Sequence, residues 1–168
     1  GSKRFPVRDP FFLMIRRSLN SFMNAFTSSD WTAYPFASQN RQDFNNLLSV
    51  YLDAVFFARL DPLDFAQEGI RVEFSEAENP DSPLVYKGVV FNEMKGAMSS
   101  PTSILSDVLN KYVFPTTTYH YNSGGDPETI PDLSYDDLQA FYQKHYHPSN
   151  AVFMTFGDIP AAELQARF

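Results

Sequence analysis

The stretch Tyr86–Met98, YKGVVFNEMKGAM, constrains the chain most tightly. Read at about 100° per residue, it is one helix with Tyr86, Val90, Glu93, Met94 and Ala97 on a single stripe and Val89 at its edge. Lys87, Gly88 and Lys95 fall to the side or on the back. Glu93 therefore sits in the middle of an apolar face and is expected to be buried. An unpaired buried carboxylate is costly, so this one must be protonated, paired with a basic side chain or bound to a metal. The residues alone leave a structural ion pair, a helix drawn in the wrong phase and a functional site all open.

The rest of the chain suits one domain. It has 168 residues, 17 Phe and 9 Tyr, enough apolar material for a packed core. Thirteen basic against 20 acidic residues give a net charge of −7, which argues against a nucleic-acid partner. There is no cysteine, hence no disulfide framework, cysteine-based zinc site or thiol nucleophile. No apolar run approaches membrane-spanning length, so no membrane partner is expected. The chain opens on Gly1-Ser2 without an initiator Met and closes partway through a helical pattern, which reads as a piece cut from a longer protein.

Taken in order, Asp9-Pro10 reads as a helix cap with proline at the first helical position, opening a helix through FFLMIRRSLNSFMN. Residues 24–37 then alternate around Ser28-Ser29-Asp30, the pattern of a β-hairpin, with Pro35 at an edge or bulge. Asp43 is expected to cap a helix whose buried stripe runs Phe44, Leu47, Leu48, Tyr51, Ala54, Val55 and Ala58. IRVEFS at 70–75 alternates as a strand, and the acidic run 75–83 reads as loop. Pro101–Val113 carries a further helical pattern, followed by a long irregular stretch at 114–133. Ser134 and Asp137 resemble a capping box at the start of another helix. AVFMTF at 151–156 reads as a short buried strand. The sum is an α+β fold, a largely antiparallel sheet with helices on one face.

Few side chains suggest chemistry. His145 and His147 are two apart at a helix end and share no face, and His120 lies in an aromatic-rich loop, so all three read as surface histidines. No Gly-x-Ser-x-Gly elbow or phosphate loop is present. Asn24-Ala25-Phe26-Thr27 reads as an ordinary strand start, or as an edge that pairs with an extended peptide.

Several long stretches, in order, resemble one family. They are DPFFLMIRRSLNSFMNAFTSSDWTAYPFAS, YLDAVFF, QEGIRVEF, YKGVVFNEMKGAMSSP, NSGGDPETIPDLSYDDLQAFYQKHYHPSNA and the closing GD. They are similar to the pitrilysin/insulinase-type zinc metallopeptidases, in the presequence-protease branch, from about Lys3 to Asp158. The resemblance implies a peptidase domain of the mitochondrial-processing-peptidase-like type. It implies two zinc-binding histidines and a general base in an H-x-x-E-H helix, with a distant glutamate as third protein ligand. The glutamate of FNEMKG is Glu93. It further implies that Asn24, Ala25, Phe26 and Thr27 form the edge on which an unfolded peptide substrate lies, with Phe26 lining a side-chain pocket.

The chain contains no H-x-x-E-H. The resemblance therefore makes residues 1–168 a partial N-terminal peptidase domain, without its opening strands and metal helix, carrying one of three zinc ligands and no catalytic base. Taken alone it is expected to be inactive, and its bare sheet edge invites a homodimer. A non-catalytic peptide-binding or scaffold subunit of the same family is the alternative. Bacterial cytoplasm and mitochondrial matrix both fit such a parent.

Overall fold

The computed structural model describes all of residues 1–168. Helix α1 spans Pro10–Arg17, and the Asp9 side chain caps it by accepting from the Phe12 N–H. The helix is shorter than its sequence pattern. At Ser18 the chain turns extended, because the Asp43 carboxylate takes the Leu19 N–H at 3.0 Å and the chain leaves the helical path. Strands β1 (Asn20–Met23), β2 (Phe26–Thr27), β3 (Thr32–Ala33) and β4 (Phe36–Ser38) then form the expected hairpin. It consists of two short antiparallel ladders, β1 with β4 and β2 with β3. Pro35 lies between β3 and β4, where its missing N–H interrupts the pairing, although its carbonyl still accepts from Asn24 N–H at 3.1 Å.

Helix α2 spans Arg41–Phe56. Its cap is Asn40, not Asp43: the Asn40 side chain accepts from the Asp43 N–H at 3.0 Å, which leaves the Asp43 carboxylate free to hold Leu19. Leu47, Leu48, Val50 and Tyr51 are buried, and the Tyr51 ring packs against Phe11 and Phe36 at 4.9 and 4.7 Å between centroids. This aromatic seam joins α1, the hairpin and α2. The N-terminal residues fold onto the far end of α2. Ser2 is fully buried and bridges Ala58, and Arg4 N–H donates to Asp53 Oδ2 at 2.7 Å. Burial pushes the Asp53 carboxyl upward, but the polar groups of the folded-back N-terminus around it, with the Arg4 N–H bonded to it, outweigh burial and hold its pKa below the usual value.

Helix α3 (Pro62–Glu68) starts at Asp61-Pro62, where the Asp61 side chain accepts from the Leu63 N–H. Strands β5 (Arg71–Phe74) and β6 (Leu84–Lys87) pair antiparallel across the acidic loop. Glu73 pairs with Lys87 Nζ at 2.7 Å across this ribbon and with Arg71 Nε at 2.6 Å along its own strand. Tyr86 and Lys87 thus belong to a strand, and the expected helix begins only at Val89 as α4 (Val89–Ala97). Helix α5 (Pro101–Val113) matches its sequence pattern. Residues 114–134 hold two short 3-10 turns, of which Ile130 is buried. The capping box of Ser134 with Asp137 opens α6 (Tyr135–His145) as expected.

Residues 151–156 correct the sequence reading most sharply. They form no strand and pair with nothing, and Val152 and Met154 are each 92% exposed. The apolar run suits a strand, yet this chain supplies no neighbouring strand to pair with it. Helix α7 (Ala161–Gln165) follows, its Leu164 buried, and Arg167 reaches back to Asn45 and Ser49 of α2. The architecture is a mixture of helices and small antiparallel ribbons, an α+β arrangement. No helix is long and apolar enough to cross a membrane.

Candidate metal-ligand and peptide-binding elements

Glu93 stands near the middle of α4, but it is exposed, not buried. The side of α4 that packs inward carries Phe91 and Met94, which meet Ile130 and the partly buried Ile70. At about 100° per residue, that side lies roughly 120° around the helix from the stripe of Val89, Val90 and Glu93. The helix is therefore apolar on two sides, and the chain's own core covers only one. Val89 and Val90 remain exposed beside Glu93, as does Tyr86 in the strand before them. Glu93 enters no ion pair; the basic residues nearest in sequence do not reach it, and Lys87 is taken by Glu73. Within this chain no basic side chain pairs with this carboxylate.

What fixes α4 is its entry. Gly88 is buried and precedes the first turn, and its carbonyl accepts the Asn92 N–H at 3.0 Å. A Cβ placed at Gly88 would stand 1.9 Å from the Gly69 carbonyl oxygen. The β6–α4 junction thus lies directly on the end of α3, a closeness that only glycine permits.

Asn24–Thr27 lie along the outer side of the hairpin, all four exposed. Phe26 pairs with Ala33 and Thr27 with Thr32, so β2 has one bonded side and one open side. Phe26 stacks on Phe22 with 6.3 Å between ring centroids. No hydrogen bond or ion pair joins this strand to Glu93, so the chain does not by itself assemble the two elements into one site. Nowhere do three His, Asp or Glu side chains gather as a metal cluster. Glu93 offers one carboxylate donor of a type that suits zinc, and the remaining donors are not among these residues.

Residues that the sequence reading passed over hold the hairpin in place. The hydroxyls of Tyr34 and Tyr146 lie 2.8 Å apart. Tyr142 donates to Val55 O at 2.7 Å and accepts from Ala58 N–H at 3.0 Å, and Tyr135 donates to Leu60 O. Tyr135, Tyr142 and Tyr146 are spaced by seven and four, which puts all three within about 40° on one helical face. That spacing was the available signal. Burial, followed by the bond to Tyr146, pushes the Tyr34 phenol well above its ordinary pKa, and burial pushes Tyr51 up to about 12.

Residues 132–167 match the family model described as the peptidase M16 inactive domain. The chain is also similar to proteins named mitochondrial presequence protease. Identity is 58% over 160 residues with that of Danio rerio, 56% over 160 with that of Xenopus tropicalis and 51% over 160 with that of Schizosaccharomyces pombe. In each case the match takes in 95% of this chain and 16% of the relative, so the chain spans about a sixth of the length of these proteins. Matching such relatives at half identity or better along nearly its whole length, the chain belongs to the presequence-protease family of M16 peptidases.

Proposed function

We propose that this chain is part of a zinc-dependent endopeptidase that degrades short unfolded peptides, and that Glu93 is one of its metal ligands. The observation that carries the reading is the second apolar side of α4. A carboxylate without an ion pair stands there among exposed Val89 and Val90, as a ligand would if a further helix packed against that side. The family resemblance assigns that helix to an H-x-x-E-H segment that supplies two histidines and the general base.

In this reading Glu93 contributes a carboxylate oxygen, and Val89 and Val90 keep water from its flank. Zinc, when bound, polarises the scissile carbonyl and makes water a competent nucleophile at neutral pH. Asn24–Thr27 offer backbone N–H and C=O groups along the open side of β2, to which an extended peptide adds as a further strand. Phe26 then lines a pocket for a substrate side chain. The chain forms part of the N-terminal half of the enzyme, with the stretch from Asp132 opening its inactive domain. Completed by the missing strands, the ribbons join one antiparallel sheet with helices on one face, of the mitochondrial-processing-peptidase-like type. The names of the relatives favour the mitochondrial matrix as its location. The complete protein should cleave an unstructured peptide, and a chelator should abolish the cleavage until zinc is restored. Cleavage indifferent to chelator sinks the zinc mechanism.

A scaffold reading is kept because the family-model match falls on a domain described as inactive. A complete protein that neither cleaves peptide nor retains zinc would favour it. For the isolated 168 residues we further propose self-association. The unpaired 151–156 segment and the open ribbon edges offer backbone and apolar surface to a second copy. Light scattering at high concentration is expected to read a dimer or larger species, and a stable monomer removes the idea.

A further inference from the structure

We propose that the Tyr34–Tyr146 pair is a positioning device through which helix α6 holds the hairpin so that Asn24–Thr27 presents a fixed edge to the peptide. Helix α6 lies in the stretch that matches the inactive domain. The proposal therefore gives that domain a part in substrate binding, and it rests on the reading of Asn24–Thr27 as the peptide edge.

The hairpin is weak on its own. Its outer half, β2 with β3, has only two residues per strand, and an isolated two-stranded ribbon is marginal in water. Pro35 interrupts the pairing beside it. The geometry of such a ribbon is set by what it is fastened to. Three tyrosine hydroxyls from three separate elements fasten it, one at its turn and two on its return side. Tyr119 donates to Asp30 Oδ2 at 2.9 Å, Tyr51 of α2 donates to Pro35 O at 3.3 Å, and Tyr146 meets Tyr34 at 2.8 Å. From outside the hairpin only the Tyr51 hydroxyl comes near this stretch, at the Asn24 amide, and no hydrogen bond reaches Ala25, Phe26 or Thr27. The outer strand is left open and takes its position from the inner one, through Phe26 with Ala33, Thr27 with Thr32 and Asn24 N–H with Pro35 O.

Of the three fastenings, only the Tyr34–Tyr146 pair ties the hairpin to α6. Tyr34 is the residue between Ala33, which pairs with Phe26, and Pro35, which pairs with Asn24. Tyr146 is in turn held from below: its ring stacks on Tyr142, whose hydroxyl is bonded to both Val55 and Ala58 at the end of α2. A shift of α6 is thus passed to the hairpin through one pair of hydroxyls.

The test uses the complete protein with a fluorogenic unstructured peptide, comparing Tyr34→Phe, Tyr146→Phe, the double variant and Phe26→Ala. Each tyrosine variant is expected to raise KM about two- to tenfold, the range one hydrogen bond spans. Zinc content and kcat should change by less than about twofold, and the double variant should be no worse than either single one. An unchanged KM in both single variants overturns the proposal, as does a fall in kcat or zinc content as large as the rise in KM. The two readings fail differently. If Phe26→Ala leaves KM unchanged, the peptide edge itself is misassigned. If Phe26→Ala raises KM while the tyrosine variants do not, only the positioning role is lost.

Discussion

Glu93→Gln in the complete protein should remove zinc and peptidase activity together while leaving the fold untouched. The substitution keeps the side chain's size and removes its charge. Groups that merely orient a zinc ligand cost about ten- to a hundredfold in metal affinity or activity when lost, so losing a ligand should cost at least about a hundredfold. The structural cost is set by what Glu93 touches in this chain. It is exposed and has no ion pair in this chain, so apart from the stability that bound zinc contributes the change should stay within about 0.5 kcal/mol. The expected combination is zinc lost from the purified protein with a melting temperature equal to that of the zinc-free wild type. Zinc content and cleavage that both survive Glu93→Gln would mean that the third ligand is elsewhere. A large drop in melting temperature would mean instead that Glu93 serves the fold.

This split separates what a sequence can say about α4 from what it cannot. The stripe of Val89, Val90 and Glu93 was legible, and so was the oddity of a carboxylate in it. The expectation that the stripe faces the chain's own core was wrong, because periodicity identifies an apolar face without naming its partner. The inward side is that of Phe91 and Met94, and the Glu93 side is left for something else. The same logic covers 151–156. Its apolar run was read as a buried strand, but it forms no strand here, since pairing and burial depend on neighbours that these residues do not contain.

Elements set by local signals were read well. Asp9-Pro10, Pro101 and the Ser134–Asp137 box each act within one turn of helix, and the structure has each of them. The errors lie where a distant group decides. Helix α1 ends early because Asp43, 24 residues on, takes the Leu19 N–H. Tyr86 and Lys87 become strand because Val72 and Arg71 pair with them across the acidic loop. The tyrosine face of α6 could have been found by counting, since 135, 142 and 146 share a helical side, but its targets are backbone carbonyls that leave no mark in a sequence.

The second large effect follows from how α4 is held. Gly88→Ala should destabilise the protein by about 3 kcal/mol, the upper end for overpacking, because every atom the new methyl meets is backbone. The Gly69 oxygen lies 1.9 Å, the Gly69 carbon 2.6 Å and the Ile70 Cα 3.1 Å from where the Cβ would stand. Backbone strain at Gly88 is not the reason, since its φ of 171° is extended and open to any residue. To make room, the β6–α4 junction must part from the end of α3 by more than about 1 Å, and α4 carries Glu93 with it. Misplacing a reacting group by that much can cost about a hundredfold in rate, so activity should fall further than the lost stability accounts for. Gly96 supplies the control on the same helix. A Cβ there meets nothing within 4 Å in this chain, so in the isolated 168 residues Gly96→Ala should stabilise α4 by about 0.5–1 kcal/mol. Thermal melts and zinc content of the two variants decide the matter. If Gly88→Ala melts with the wild type, the close packing of α4 on Gly69 is not what sets the position of the ligand helix.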